Sequence, residues 1–351
     1  MSSSPLKVAI VGTGLFATAT HLPTLQKLEN VVPYSCYNRT KSKAEEFASK
    51  AGITKVYDSL EEVFQDKEVD VVDVLLPVQY NVEAVKLAVK YNKPICLEKP
   101  IAANLEQAKE IVQLDESSPT LPISILENWS YMNAIDILKN EVLPKIGDVI
   151  SFTYRSTGAW NENNKYLTTS WRQNPQHIGG FLSDGGVHQL ALLTGVLGAV
   201  DLISALTKQV RKASGDDDIV YSTVKMSSGV IGTFTYGSAF GATDKSSTFL
   251  IMGTNGSIEF DFSPSLPKKI IKYQTGDSAQ AASAKQIIEV DSNDTSAAEF
   301  SNFFEAVAQK DKSLILTKPR LAYHHLSIVG AALESVKSGS FATVSSPVSS
   351  Q

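Results

Sequence analysis

The stretch Lys7-Val8-Ala9-Ile10-Val11-Gly12-Thr13-Gly14-Leu15-Phe16-Ala17 decides the fold. An apolar run leads straight into a glycine turn, and a helix-like segment, Leu15–Leu28, follows it. Gly12 and Gly14 permit a tight turn and a close approach of backbone to a ligand. Ala17, in the third position of a G-x-G-x-x-A pattern, still permits close packing of helix on strand. The N-terminus of the following helix offers N–H groups and the positive end of its dipole. In a strand–turn–helix context this reads as a cradle for the pyrophosphate of a dinucleotide. The same glycines in another α/β fold would be only a turn, so the surrounding pattern matters.

That pattern repeats outward. Val31–Tyr37, Val71–Leu75, Ile95–Leu97 and Ile123–Leu126 are further short apolar runs. Lys41–Ala51, Asn81–Lys90 and Asn104–Leu114 are helix-like segments between them. Apolar runs alternating with helices at this spacing predict βαβ units and a parallel sheet, buried on both faces. After about residue 126 the pattern changes. Val230, Gly232, Phe234 and Tyr236 alternate with Ile231, Thr233 and Thr235, and Ile258, Phe260 and Phe262 alternate with Glu259 and Asp261. Asn255-Gly256 before the latter is a hairpin signal of type I′. Helices are expected at Asp184–Leu197, Ala297–Ala308 and Leu321–Val336. The reading is an α/β Rossmann domain over residues 1–126, followed over 127–351 by an α+β domain with a large, predominantly antiparallel open sheet. A ligand cleft between two such domains is the default expectation.

The end of the second strand bears on the cofactor. An Asp or Glu there would accept from a ribose 2′-OH and repel a 2′-phosphate. This chain has Asn38-Arg39-Thr40, with Lys41 and Lys43 after, and no carboxylate. Asn38 and Thr40 can donate to phosphate oxygens, and Arg39 brings a planar fork of donors and a permanent charge. The expected cofactor is NADP(H). Leu76-Pro77 after the fourth strand and Glu98-Lys99-Pro100 after the fifth lie at carboxyl ends of strands, where ligands of open parallel sheets lie. Lys99 is thus directed toward the nicotinamide end, although a structural Glu–Lys pair would look the same. In the second domain, Gly179-Gly180 leads to Asp184 and His188, four apart, which a helix would place on one face. Hydride transfer needs a partner that gives or takes the substrate's proton; a His does so near neutrality, and a Lys can polarise the oxygen. Asp184 could instead cap a helix, and a lone His is often a satisfied core residue.

Together, the Gly12-Thr13-Gly14 start, Glu98-Lys99-Pro100 and Gly179-Gly180…Asp184…His188 resemble the glucose–fructose oxidoreductase / inositol dehydrogenase (Gfo/Idh/MocA) family. The likeness runs through nearly the whole chain and is nearest to a fungal NADP(H)-dependent branch. The resemblance implies Lys99 as the proton-handling or carbonyl-polarising lysine, His188 as a second acid–base group, and Asp184 in the substrate pocket. It also implies that Trp171-Arg172 reaches the cofactor and that oligomers form through open sheet faces. Departures fall near the expected substrate: Leu76-Pro77-Val78-Gln79-Tyr80-Asn81 replaces a Thr-Pro-Asn-x-x-His pattern, Ala191 stands where the family often carries Asp, and Glu127-Asn128-Trp129 replaces a basic segment. Asn128, polar at a strand end, is a further candidate for the carboxamide or substrate.

Composition bounds the rest. The net charge of −5 with no basic run argues against nucleic acid or an anionic membrane as partner. Cys36 and Cys96 sit in apolar stretches without metal or disulfide spacing. Met1 to Lys7 has no apolar signal core and no run is long enough to span a membrane, so a cytoplasmic protein is expected. His324 and His325, adjacent on a helix, make a poor metal pair, and His21 and His177 lack partners at metal spacing. Asp216-Asp217-Asp218 reads as a solvated turn. No metal is expected. The reading is an enzyme acting on a small-molecule carbonyl or alcohol, such as a sugar or polyol, and forming a homodimer or higher homo-oligomer. A non-catalytic sensor of the same fold and a reductase of non-sugar carbonyls are the alternatives.

Overall fold

The computed structural model describes residues 4–168 and 170–345, without the side chains of residues 167–171. The chain divides into two compact units, one of residues 1–128 and 294–323, the other of residues 129–293 and 324–351. The sequence boundary at 126 puts residues 294–323 with the second domain. The helix Thr295–Gln309 belongs instead to the first unit, because Phe300, Phe303 and Phe304 are fully buried in one core with Val8, Ile10 and Leu25.

The first unit is built on six parallel strands: β1 (Leu6–Val11), β2 (Val31–Tyr37), β3 (Lys55–Val56), β4 (Val71–Val74), β5 (Ile95–Glu98) and β6 (Ile123–Leu126). Their order, β3-β2-β1-β4-β5-β6, is that of a dinucleotide-binding Rossmann sheet. The short β3 and the helix Leu60–Gln65 are not visible in the sequence pattern. In β2 the register against β1 slips after Val8↔Pro33, where the proline has no N–H to give the ladder. The first helix, residues 15–27, carries a π-turn at Ala17–His21. Such a turn inserts one residue into the helix and re-aims the side chains that follow.

The second unit holds a nine-stranded sheet of β7 (Val149–Ala159), β8 (Val200–Lys208), β9 (Ile219–Met226), β10 (Ile231–Phe240), β11 (Ser246–Gly253), β12 (Gly256–Asp261), β13 (Lys269–Thr275), β14 (Gln286–Val290) and β15 (Ala342–Thr343). The order is β14-β13-β12-β11-β7-β10-β9-β8-β15, with β7–β10 parallel and the other pairs antiparallel. The hairpin expected at Asn255-Gly256 sits one residue earlier. Gly253 pairs with Gly256, so Thr254 and Asn255 are the loop. One face of the sheet is packed by Phe152, Tyr154, Phe234, Phe249 and Phe260, the other exposes Leu206, Tyr221 and Ile231. The expected helix from Asp184 to Leu197 is two helices, Gly180–Asp184 and Gly186–Leu197.

Candidate active site

In the first unit the glycine turn is held by sterics. Gly12 has φ +96°, and a Cβ there would lie 2.5 Å from the Leu75 carbonyl oxygen. The turn after β1 and the loop after β4 therefore lock together, helped by the Leu75 N–H donating to the Val11 carbonyl at 2.7 Å. A Cβ on Gly14 would meet nothing within 4 Å. Open space against backbone, at the start of the helix of residues 15–27, fits a pyrophosphate. Ala17 is fully buried in the core, as close helix–sheet packing requires, while Leu15 and Phe16 remain exposed at the helix start. Leu76 and Pro77 are half-buried in the loop beside this turn.

At the end of β2, Asn38 is a positioning residue for its own loop. Its amide donates to the Thr13 hydroxyl at 2.9 Å, and its carbonyl accepts the Thr40 N–H at 2.9 Å. The Thr13 hydroxyl in turn donates to the Lys43 carbonyl at 3.2 Å. Arg39 stacks its guanidinium 4.4 Å from the centre of the Tyr80 ring and donates to the Tyr80 hydroxyl at 2.6 Å. Thr40 is the N-cap position of the helix Lys41–Ala51, but its side chain does not cap it. This end of β2 thus presents a fixed guanidinium and a helix N-terminus, both attractive to an anion.

Lys99 follows β5 directly, and the Lys99–Pro100 bond is cis. The turn is tied down by Asn81, 1% exposed, whose amide donates to the Pro100 and Ile101 carbonyls at 3.3 and 3.1 Å. Asn81 thus holds the glutamate–lysine–proline turn from the preceding helix, Asn81–Tyr91. Asn128 donates to the Thr295 hydroxyl at 3.0 Å, an anchor onto the helix Thr295–Gln309.

Beneath Glu98 lies a group of residues that the sequence reading passed over. His21 is 1% exposed, with Nδ1 2.8 Å from an Asp73 carboxylate oxygen and Nε2 2.9 Å from a Glu98 oxygen. Asp73 is fully buried in the middle of β4. Burial alone would depress the His21 pKa, but the two carboxylates overcome this and push it up to about 10. Glu299 is 3% exposed, and burial, with the nearby Glu98 carboxylate, holds its pKa well above the usual range. Among the described residues its Oε2 has no hydrogen-bond partner. Asp73 was the exception in an otherwise apolar strand, and Glu299 lies four residues before Phe303 on a buried helix face. Both were signals that a buried partner existed.

In the second unit, Asp184 ends the helix Gly180–Asp184 and does not cap the next. It accepts instead from Arg172 Nε at 2.7 Å, and the Arg172 guanidinium also lies 5.0 Å from the centre of the Tyr166 ring. The Trp171 side chain lies outside the described residues. The break between the helices sits at Gly185, where a Cβ would lie 2.1 Å from the Tyr236 hydroxyl oxygen. His188 is half-buried and stacks on Trp129, ring centres 5.6 Å apart and planes at 23°. Trp129 was quoted in the sequence only as a departure; its role as the platform for His188 was not legible there.

Other calls resolve plainly. Cys36 and Cys96 are free and buried. His324 accepts from the Val200 N–H and His325 pairs with Thr194, so the neighbours serve separate contacts. Asp218 is not solvated: it is 1% exposed and accepts from the Val210 and Arg211 N–H groups at 2.8 Å. Among the described residues no helix is long and apolar enough to cross a membrane.

A Rossmann unit with an open glycine turn, carried by the same chain as an α+β unit with a large open sheet, is the architecture of a class of dinucleotide-dependent oxidoreductases. A model for an oxidoreductase family with an NAD-binding Rossmann fold matches residues 6–121, and that for its C-terminal alpha/beta domain matches residues 141–345. The chain belongs to the Gfo/Idh/MocA oxidoreductase family. It is 51% identical to an uncharacterized protein of Saccharomyces cerevisiae over 351 residues, 98% of this chain and 100% of the relative. It is 30% identical to mouse trans-1,2-dihydrobenzene-1,2-diol dehydrogenase over 237 residues, 66% of this chain and 68% of that protein. Among solved structures, an oxidoreductase from Thermotoga maritima matches with TM-score 0.84 and 31% identity, covering 98% of this chain and 100% of the other.

Proposed function

We propose that this oxidoreductase uses NADP(H) and moves a hydride between the nicotinamide and a carbonyl or alcohol carbon of a small substrate, a sugar, polyol or related carbonyl. The observation that carries the cofactor choice is the carboxylate-free end of β2, with Arg39 fixed over Tyr80. Gly12, Thr13, Gly14, Leu15, Phe16 and Ala17 would hold the pyrophosphate turn, and Asn38, Arg39 and Thr40 the 2′-phosphate. Leu76, Pro77, Glu98 and Asn128 would border the rest, with Trp171 and Arg172 contributed by the second unit.

The bound nicotinamide supplies or accepts the hydride. Lys99 polarises the substrate oxygen and handles its proton. His188, oriented by the Trp129 ring, is the second acid–base group, and Asp184, fixed by Arg172, binds a substrate hydroxyl. The likeness to the mouse diol dehydrogenase favours a second substrate reading, a cyclic vicinal diol or non-sugar carbonyl. A turnover screen of polyols, aldoses, cyclic diols and simple carbonyls, each with NADP(H) and NAD(H), tests both. Turnover with NADP(H) only or far better than with NAD(H) is expected. Equal use of the two cofactors overturns the cofactor assignment, and no turnover in the whole screen favours a sensor.

A further inference from the structure

The buried histidine of the first unit is not explained by cofactor binding, nor by packing alone. An imidazole that meets a carboxylate oxygen at each nitrogen satisfies both only by donating twice, and it then carries a charge. His21 is in that position, at 2.8 and 2.9 Å from Asp73 and Glu98. The edges of Phe16 and Phe300 pack on the same ring, with centres at 5.2 and 5.0 Å, and water is excluded. A buried cation of this kind is costly unless its carboxylates compensate it, and here two do.

The three joined elements are the ones on which the proposed chemistry stands. His21 closes the π-turn of the helix whose start would hold the pyrophosphate. Asp73 belongs to β4, which precedes the loop locked to Gly12. Glu98 ends β5, immediately before Lys99. We propose that His21 is a positioning residue, a permanently charged latch that ties Glu98, and with it the strand end bearing Lys99, to the cofactor-binding helix. The inference rests on the reading of Lys99 given above.

The groups around the latch are carboxylates from every side. Asp73 comes from β4, Glu98 from β5, Glu299 from the helix Thr295–Gln309, and Glu127 from the residue after β6. Cys96 adds a thiol 3.7 Å from Asp73. The imidazolium is the cation that offsets these carboxylates at Glu299. Its removal takes from Glu98 the positive partner at 2.9 Å, one residue from Lys99. The Lys99 ammonium is then favoured, and the pH at which it gives up its proton rises.

The first test does not use activity. The chain has five histidines. In the ¹⁵N-histidine spectrum of the apo protein, the signals that vanish in His21→Gln should show both ring nitrogens protonated from about pH 6 to about pH 9. A His21 that titrates near 6.5, or holds one neutral tautomer across that range, overturns the latch. In the folded His21→Gln variant, kcat should fall roughly ten- to hundred-fold, the scale for a displaced reacting group. The NADPH Kd and substrate KM should stay within about threefold, and the Lys99 limb of the kcat/KM profile should move to higher pH. A purely structural histidine would lower Tm and leave that limb in place, which also overturns the proposal. Should the variant not fold, the wild-type spectrum decides, its His21 signals being assigned by contacts to Phe16 and Phe300. Full turnover in Lys99→Ala would instead defeat the reading of Lys99, and the spectrum would still report on the latch.

Discussion

Removing Arg39 should separate the two cofactors. In Arg39→Ala the guanidinium loses any charge-assisted bonds to a 2′-phosphate, about 1–3 kcal/mol, or roughly 5- to 150-fold in NADPH Kd. NADH lacks that phosphate, so its Kd should change by less than about twofold. The structure adds a second variant. The Tyr80 hydroxyl accepts from Arg39 at 2.6 Å, and the ring lies 4.4 Å beneath the guanidinium. Tyr80→Phe keeps the stacking and removes only the orienting bond, a neutral acceptor of about 0.5–1.5 kcal/mol at an exposed site. NADPH binding should weaken about two- to tenfold. If Tyr80 acts through Arg39, the two effects are not additive, and Tyr80→Phe costs nothing further once Arg39 is alanine. Isothermal calorimetry on the four proteins of this cycle, with both cofactors, measures each term. Equal losses for NADH and NADPH in Arg39→Ala, or an undiminished Tyr80→Phe cost without Arg39, would refute the reasoning.

Three other outcomes are expected. Lys99→Ala and His188→Ala should each slow single turnover by roughly 10²–10⁴-fold while NADPH affinity, measured separately, changes only a few-fold. Glu299 keeps its proton well above the usual carboxylate range because it is buried, so stability is lost as pH rises above about 4.5; Glu299→Gln, which mimics the protonated acid, should match wild type near pH 5 and exceed its Tm by several degrees near pH 9. Leu206, Tyr221 and Ile231 are 76%, 51% and 56% exposed on one sheet face, which as an apolar patch suits a homodimer; a monomeric mass by light scattering at micromolar concentration would count against it.

The parallel sheet of the first unit and several of its element boundaries were legible because they follow from periodicity. Val31–Tyr37, Lys41–Ala51 and Ile123–Leu126 appear in the structure with the bounds read from the sequence. A buried strand and an amphipathic helix leave a repeating trace in the residues they contain. What escaped is made of contacts between elements. Nothing near Trp129 announces His188, 59 residues on, because the pair exists only once the sheet and helices of the second unit have packed. The π-turn at Ala17–His21 leaves no trace in propensity, being one residue too many within an ordinary helical run. The helix Thr295–Gln309 was read correctly as a helix but with the wrong neighbours, since its apolar face does not say which sheet it covers.

Asp73 shows how much a single exception can carry. A carboxylate in the middle of a strand buried on both faces is destabilising unless something compensates it, and nothing nearby in sequence could. The partner had to come from another element, bear a positive charge or give a proton, and be buried as deeply. In the first unit, His21 is the only histidine. Asp73 alone would have been satisfied by one imidazole nitrogen. The second nitrogen, directed at Glu98, turns a local compensation into a link between strands β4 and β5 and the first helix. The same requirement accounts for the neighbouring Glu299. Buried among Glu98, Glu127 and Asp73 with His21 already held by Asp73 and Glu98, Glu299 keeps its proton well above the usual carboxylate range. The charge state of this core therefore follows from burial and from the number of carboxylates around one imidazole.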